Sequence, residues 1–186
     1  GDALTDADYN VAIGYGALSA DTQGSNNVAI GRFALVSQNF TSATNSENTA
    51  VGYNSGNAVT TGVKNTLIGS LAGDALTDAD ENVAVGYNTL STDTLGSRSV
   101  AIGADALGTQ NPASATNMYN VGVGFNAGAV VTTGVQNTLV GALAGDAITT
   151  ANNNVAMGYA ALGGCVQGAM NVAVGVGALQ VNNQSG

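Results

Sequence analysis

Asn10-Val11-Ala12-Ile13-Gly14 decides how this chain is built, because the sequence repeats that phrase ten times. It returns as Asn27-Val28-Ala29-Ile30-Gly31 and Asn48-Thr49-Ala50-Val51-Gly52. It continues as Asn65-Thr66-Leu67-Ile68-Gly69, Asn82-Val83-Ala84-Val85-Gly86 and Ser99-Val100-Ala101-Ile102-Gly103. The last four copies begin at Asn120, Asn137, Asn154 and Asn171. Repeats of this length announce a stacked architecture in which each unit buries its faces on its neighbours.

The anchors are spaced 17, 21, 17 and 17 residues apart, then 17, 21, 17, 17 and 17. The larger unit is therefore 72 residues, with super-repeats 1–72, 73–144 and a partial 145–186. Gly1-Asp2-Ala3-Leu4-Thr5-Asp6-Ala7-Asp8 reappears as Gly73-Asp74-Ala75-Leu76-Thr77-Asp78-Ala79-Asp80. No composition shift marks a boundary, so the chain reads as one repeat domain, and its out-of-phase ends suggest a segment of a longer fibre.

Within a coil, Val11 and Ile13 alternate with Ala12, the two-residue period of a strand, and β-branched residues dominate. The residue that closes each phrase is always Gly: Gly14, Gly31, Gly52, Gly69, Gly86, Gly103, Gly124, Gly141, Gly158 and Gly175. An invariant glycine implies a corner with positive φ or a close backbone approach. No helical period persists between glycines, so fragments such as Gly14-Tyr15-Gly16 have no helix to make them phosphate loops. The expected fold is all-β: a parallel β-solenoid of about ten coils, rising about 4.8 Å per coil to a rod of roughly 48 Å.

The alternation leads us to expect Val11, Ile13 and Leu18 inside, laddered with Val28, Ile30 and Leu35. The asparagines are expected to stack and satisfy corner backbone groups. Four extra residues in each long coil should bulge outward near residues 38–42 and 110–114. On this reading the second strand position faces out, yet it holds Ala12, Ala29, Ala50, Leu67, Ala84, Ala101, Gly122, Leu139, Ala156 and Ala173. A solvated row would vary among polar residues, so it is expected to be a self-association face.

Composition narrows function. The chain has 186 residues, a net charge of −9, no His and no Trp. Three cations (Arg32, Lys64 and Arg98) cannot form the basic stripe that nucleic acid requires. No stretch has the apolar length of a transmembrane helix. Without His, and with the lone Cys165 lacking an activating partner, no catalytic residue can be named. The acids Asp2, Asp6, Asp8, Asp74, Asp78, Asp80, Glu81 and Asp146 share one loop type. These loops are the one candidate for a cofactor, Ca²⁺, but no known calcium-loop pattern accompanies them, and a solvated loop is the favoured reading. No other cofactor or metal is expected. An aromatic follows the corner in alternate coils, at Tyr15, Tyr53, Tyr87, Phe125 and Tyr159. Such rings could stack on a cell-surface glycan or receptor, or pack between chains. Thr60-Thr61 and Thr132-Thr133 recur too sparsely for an ice-binding array.

The tandem Asn-Val-Ala-Ile-Gly resembles the Asn-Ser-Val-Ala-Ile-Gly head repeats of trimeric autotransporter adhesins. It is also similar to the Asn-Thr-Ala-Ile-Gly-Tyr arrays of bacteriophage tail-fibre and appendage proteins, notably those of marine cyanobacteria. The likeness spans essentially the whole chain. The phage version fits better, since it shares the Gly-Tyr corner and longer coils, whereas adhesin heads carry Ser in a place where this chain has none. The resemblance implies a left-handed β-roll, a homotrimer and a location on a virion or cell surface. The expected function is a rigid fibre or filament segment, for which end-to-end stacking is one way to close the open strand edges. A ligand-binding surface adhesin is the alternative.

Overall fold

A computed structural model describes residues 1–164 and 168–180; Cys165 and the last six residues lie outside the described part. In chain order the first seven strands are β1 (Val11–Ile13), β2 (Gly24–Ser25), β3 (Val28–Ile30), β4 (Thr44–Asn45), β5 (Thr49–Val51), β6 (Thr66–Ile68) and β7 (Val83–Val85). The others are β8 (Gly96–Ser97), β9 (Val100–Ile102), β10 (Thr116–Asn117), β11 (Val121–Val123), β12 (Thr138–Val140), β13 (Val155–Met157) and β14 (Val172–Val174). Ten of them, one per repeated phrase, form a single parallel sheet in the order β1-β3-β5-β6-β7-β9-β11-β12-β13-β14. Register is unshifted throughout: Ala12 faces Ala29, Ala50 faces Leu67, and Ala156 faces Ala173. The protein is a parallel β-solenoid, and its described residues contain no helix.

Each coil reverses at its corner glycine, where φ is +131° at Gly14 and +133° at Gly69. A side chain is excluded there for a second reason. A Cβ on Gly14 would lie 2.5 Å from the Gly31 carbonyl oxygen, and one on Gly103 would lie 2.6 Å from that of Gly124. Stacking at strand spacing brings backbone onto backbone at this corner, so only glycine fits.

The expected direction of the strand side chains is reversed. Ala29, Ala50, Leu67, Ala84, Ala101, Leu139 and Ala156 are fully buried within the single chain, and Ala173 is nearly so. Ala12, in the first strand, is exposed. The row expected to serve as a self-association face is therefore the solenoid's own core. Val11 and Ile13 are exposed, and Val28 and Ile30 only half-buried, so these point outward instead. Leu18 and Leu35 are inside as expected. The reason is coil width. The turn after the corner folds back so tightly that, where it delivers a leucine, only a methyl fits opposite, and at Gly122, against Leu107, not even that.

Leucine and glycine trade places along the stack, and that exchange accounts for much of the 72-residue unit. The core position of the turn is Leu18, Leu35, Gly56, Gly73, Leu90, Leu107, Gly128, Gly145 and Leu162. Where glycines stand, a strand leucine fills the room: a Cβ on Gly56 would lie 2.8 Å from Leu67 Cδ1, and one on Gly145 would lie 2.7 Å from Leu139 Cδ2. Volume is conserved across four coils rather than within one.

The anchoring asparagines form a ladder, as expected. Each Oδ1 accepts the backbone N–H of the next anchor, as from Asn27 to Asn10 (2.8 Å) and from Asn65 to Asn48 (2.8 Å). The amide nitrogen donates to a carbonyl across the coil, as from Asn48 to Gly62 and from Asn137 to Ala151. Buried backbone groups at the turn thereby gain partners.

The long coils differ from expectation in detail. Gln38 and Gln110 do not bulge out; both are fully buried. The exposed insertion is Thr41–Ala43 and its counterpart Ala113–Ala115, while Phe40 and Pro112 tuck in. Beyond each insertion the chain rejoins the stack, pairing Thr44 with Gly24 and Thr116 with Gly96.

Candidate interaction surface

The outward face of the sheet carries two rows. The first is Val11, Val28, Thr49, Thr66, Val83, Val100, Val121, Thr138, Val155 and Val172. The second is Ile13, Ile30, Val51, Ile68, Val85, Ile102, Val123, Val140, Met157 and Val174. None is charged, and every one is half-buried or exposed. The strip crosses the whole sheet, nine strand spacings of about 4.8 Å each. Soluble monomers rarely leave so long a contiguous apolar strip uncovered.

One edge of this face follows the corner glycines and holds the aromatic row. All five rings stand in solvent, from 46% exposed at Tyr53 to 75% at Tyr15. Arg32, Ser70, Ala104 and Ala142 occupy the coils between them, so rings and gaps alternate. Arg32 fills its own gap: its guanidinium lies 5.8 Å from the Tyr53 ring centre and 4.5 Å from that of Phe33. Phe33 in turn meets Tyr15 edge to face at 5.4 Å.

The opposite edge is the row that precedes each anchor: Tyr9, Asn26, Glu47, Lys64, Glu81, Arg98, Tyr119, Gln136, Asn153 and Met170. Every one is exposed. All adopt positive φ, from 52° at Tyr119 to 65° at Asn26, which turns their side chains off the stack. Signs alternate from Glu47 to Arg98. Arg98 Nε donates to Glu81 Oε2 at 2.8 Å, and its Nη1 reaches the Tyr119 hydroxyl at 3.5 Å. The hydrogen bond and charge of Arg98 hold the Glu81 carboxyl below its ordinary value.

The acid-rich loops do not converge. The Asp80 carboxylate accepts the Val63 N–H at 2.8 Å, Asp78 accepts the Thr61 hydroxyl, and Glu81 turns to Arg98. Among the described residues no three acids, cysteines or histidines come close enough to hold a metal ion. Burial raises the pKa of Asp74 and of Asp146.

Sequence reasoning missed two buried polar clusters. Gln38 Nε2 donates to Asp21 at 2.6 Å, while Asn48 donates to Gln38 Oε1 at 2.9 Å. One super-repeat later Gln110 donates to Asp93, and Asn120 donates to Gln110 Oε1 at 2.8 Å. The signal was present. Stacked by coil, this position runs Leu4, Asp21, Gln38, Val59, Leu76, Asp93, Gln110, Val131, Ile148: a polar pair alternating with an apolar pair. Burial raises the Asp93 pKa, against hydrogen bonds from Gln110 and from the backbone of Gly96 and Leu95.

No family model, no curated protein and no solved structure matches this chain. Among the described residues no helix is long and apolar enough to cross a membrane.

Proposed function

We propose that this chain is a structural segment of a fibre or filament, most like the shaft of a phage tail fibre or virion appendage. Its outward sheet face is covered by further copies of itself, in a homotrimer of left-handed rolls exposed on a virion or cell surface. The uncharged Val/Thr–Ile/Val strip carries this reading, since it is a long apolar surface that the single chain leaves uncovered. The strip takes over the role that sequence reasoning gave to the alanine row. Ladders of backbone hydrogen bonds running along the axis supply the stiffness of a spacer, and no catalytic role or resident cofactor is assigned.

Light scattering of the purified chain tests it. A mass of three chains, falling towards one on placing Asp at Val85 and Val123 in the centre of the strip, is the expected result. A wild-type chain that stays monomeric at high concentration would overturn it. A second reading, a surface adhesin, is favoured by the exposed aromatic row, whose rings stand ready to stack on a glycan.

A further inference from the structure

The two edges of the apolar face are complementary to each other, and the match runs rung by rung. Lys64 and Ser70 flank the same strand, β6; Arg98 and Ala104 flank β9; Gln136 and Ala142 flank β12. Each of these three gaps between two rings thus has a long hydrogen-bond donor on the other edge of its coil, while the last coil, with Val176 and Met170 about β14, lies beyond the final ring. The first gap differs. In β3 the gap is already filled by the chain's own Arg32, and there the opposite edge carries only the short Asn26.

We propose that these gaps are sockets for a neighbouring copy of the same chain. Lys64, Arg98 and Gln136 of one copy enter the slots over Ser70, Ala104 and Ala142 of the next, between successive rings. The inference rests on the self-association reading and adds to it how copies recognise and align with one another. Copies arranged around an axis parallel to the rod meet by unlike edges and at equal height, so rung matches rung. Arg32 between Phe33 and Tyr53 shows within one chain how a cation sits in this row. A guanidinium or ammonium over a phenol ring gains from the ring's negative face. The Arg98–Glu81 pair on the open surface contributes little and leaves Arg98 able to turn. The slots also set register, because a slip of one coil would drive a ring of one copy against Lys64 or Arg98 instead of a gap.

Sedimentation equilibrium on the whole chain tests the proposal. Lys64→Asn with Arg98→Asn copies Asn26 without supplying its Arg32 partner, and should weaken association at least about tenfold. Adding Ser70→Arg and Ala104→Arg, which places a cation beside the next ring of the same chain as Arg32 stands beside Tyr53, should restore it. Tyr87→Leu, on the other edge, should weaken association too and be non-additive with Arg98→Asn. Circular dichroism checks folding of each variant, and Tyr87→Leu keeps the test open should an edge variant misfold. Unchanged association of the Asn variant, or failure of the added arginines to restore it, would overturn the sockets while leaving self-association standing. A monomeric wild type would instead sink the self-association reading itself. Retention of a monomer on an immobilised polysaccharide, lost in Tyr87→Leu but kept in Arg98→Asn, would assign the slots to a sugar and overturn the proposal.

Discussion

At the corner, a single hydrogen is all the side chain that the stack admits, and two separate costs enforce it. Gly69 has φ of +133° and sits against the Gly86 carbonyl. Gly175 has φ of +121°, and no described atom lies within 4 Å of where its Cβ would stand. Gly175→Ala should therefore meet only backbone strain, about 1–3 kcal/mol. Gly69→Ala adds a clash between backbones that cannot yield, and should cost several kcal/mol more or abolish the fold. Thermal melts of the two variants measure the difference.

Direction, rather than polarity alone, makes Asp93 a carboxylate. Asn120 spends its Oδ1 on the N–H of Asn137, so its amide must donate to Gln110 Oε1. Gln110 is then left with donors facing Asp93, while Gly96 N–H approaches the other carboxylate oxygen at 2.7 Å. The acceptor-only residue is a carboxylate, and Asp93→Asn should destabilise by about 1–3 kcal/mol by setting donor against donor. Replacing Asp93 by Leu and Gln110 by Val, the residue types found at Leu76 and Val59, should be tolerated far better. The pH dependence has a definite sign. The Asp93 pKa is raised in the fold, so ionisation penalises the native state above that raised value, and the penalty disappears as pH falls below the ordinary 3.8. Relative to the Leu/Val variant, the wild type should gain stability on acidification through that window, read from denaturant midpoints across pH.

At the scale of the element, the coil is too narrow to be packed alone, and the unit of packing is a run of four. Leu67 serves two glycine rungs at once, Gly56 and Gly73. Leu67→Ala should open a cavity beneath both and cost about 2–5 kcal/mol. Adding Gly56→Leu and Gly73→Leu would recreate the Leu35 and Ala50 arrangement, and should recover much of that loss in chemical denaturation. The native leucines at this position already adopt positive φ, 51° at Leu18 and 49° at Leu35, so the backbone tolerates the exchange. The second super-repeat shows a similar compensation. Ser99 and Met118 stand where the first has Asn27 and Ser46, a smaller polar residue beside a larger apolar one.

At the scale of the whole molecule, one chain buries its alanines and leucines and leaves its valines and isoleucines outside. We propose that such a face is completed by a second copy, and that the alternating rings and donors along its two edges set the register. The mass measurement and the paired edge variants examine these two claims separately.

From the sequence alone came the number of coils, the parallel unshifted stack, the need for glycine at each corner and the asparagine ladder. All of these follow from the period, because identical residues recurring at strand spacing must lie on one another. Which side of the strand is core was settled only in three dimensions. Alternation of Val11, Ala12 and Ile13 distinguishes two faces without naming the inner one, and residue size suggested the wrong one. The distance from strand to returning turn decided it: opposite a turn leucine that gap holds at most a methyl, and opposite paired glycines it holds a strand leucine. The burial of the Asp–Gln pairs was also settled only in three dimensions. The 17-residue spacing aligns Asp21 with Gln38 and Asp93 with Gln110, but polar residue type argued for a solvated turn until the fold placed this row inside the coil.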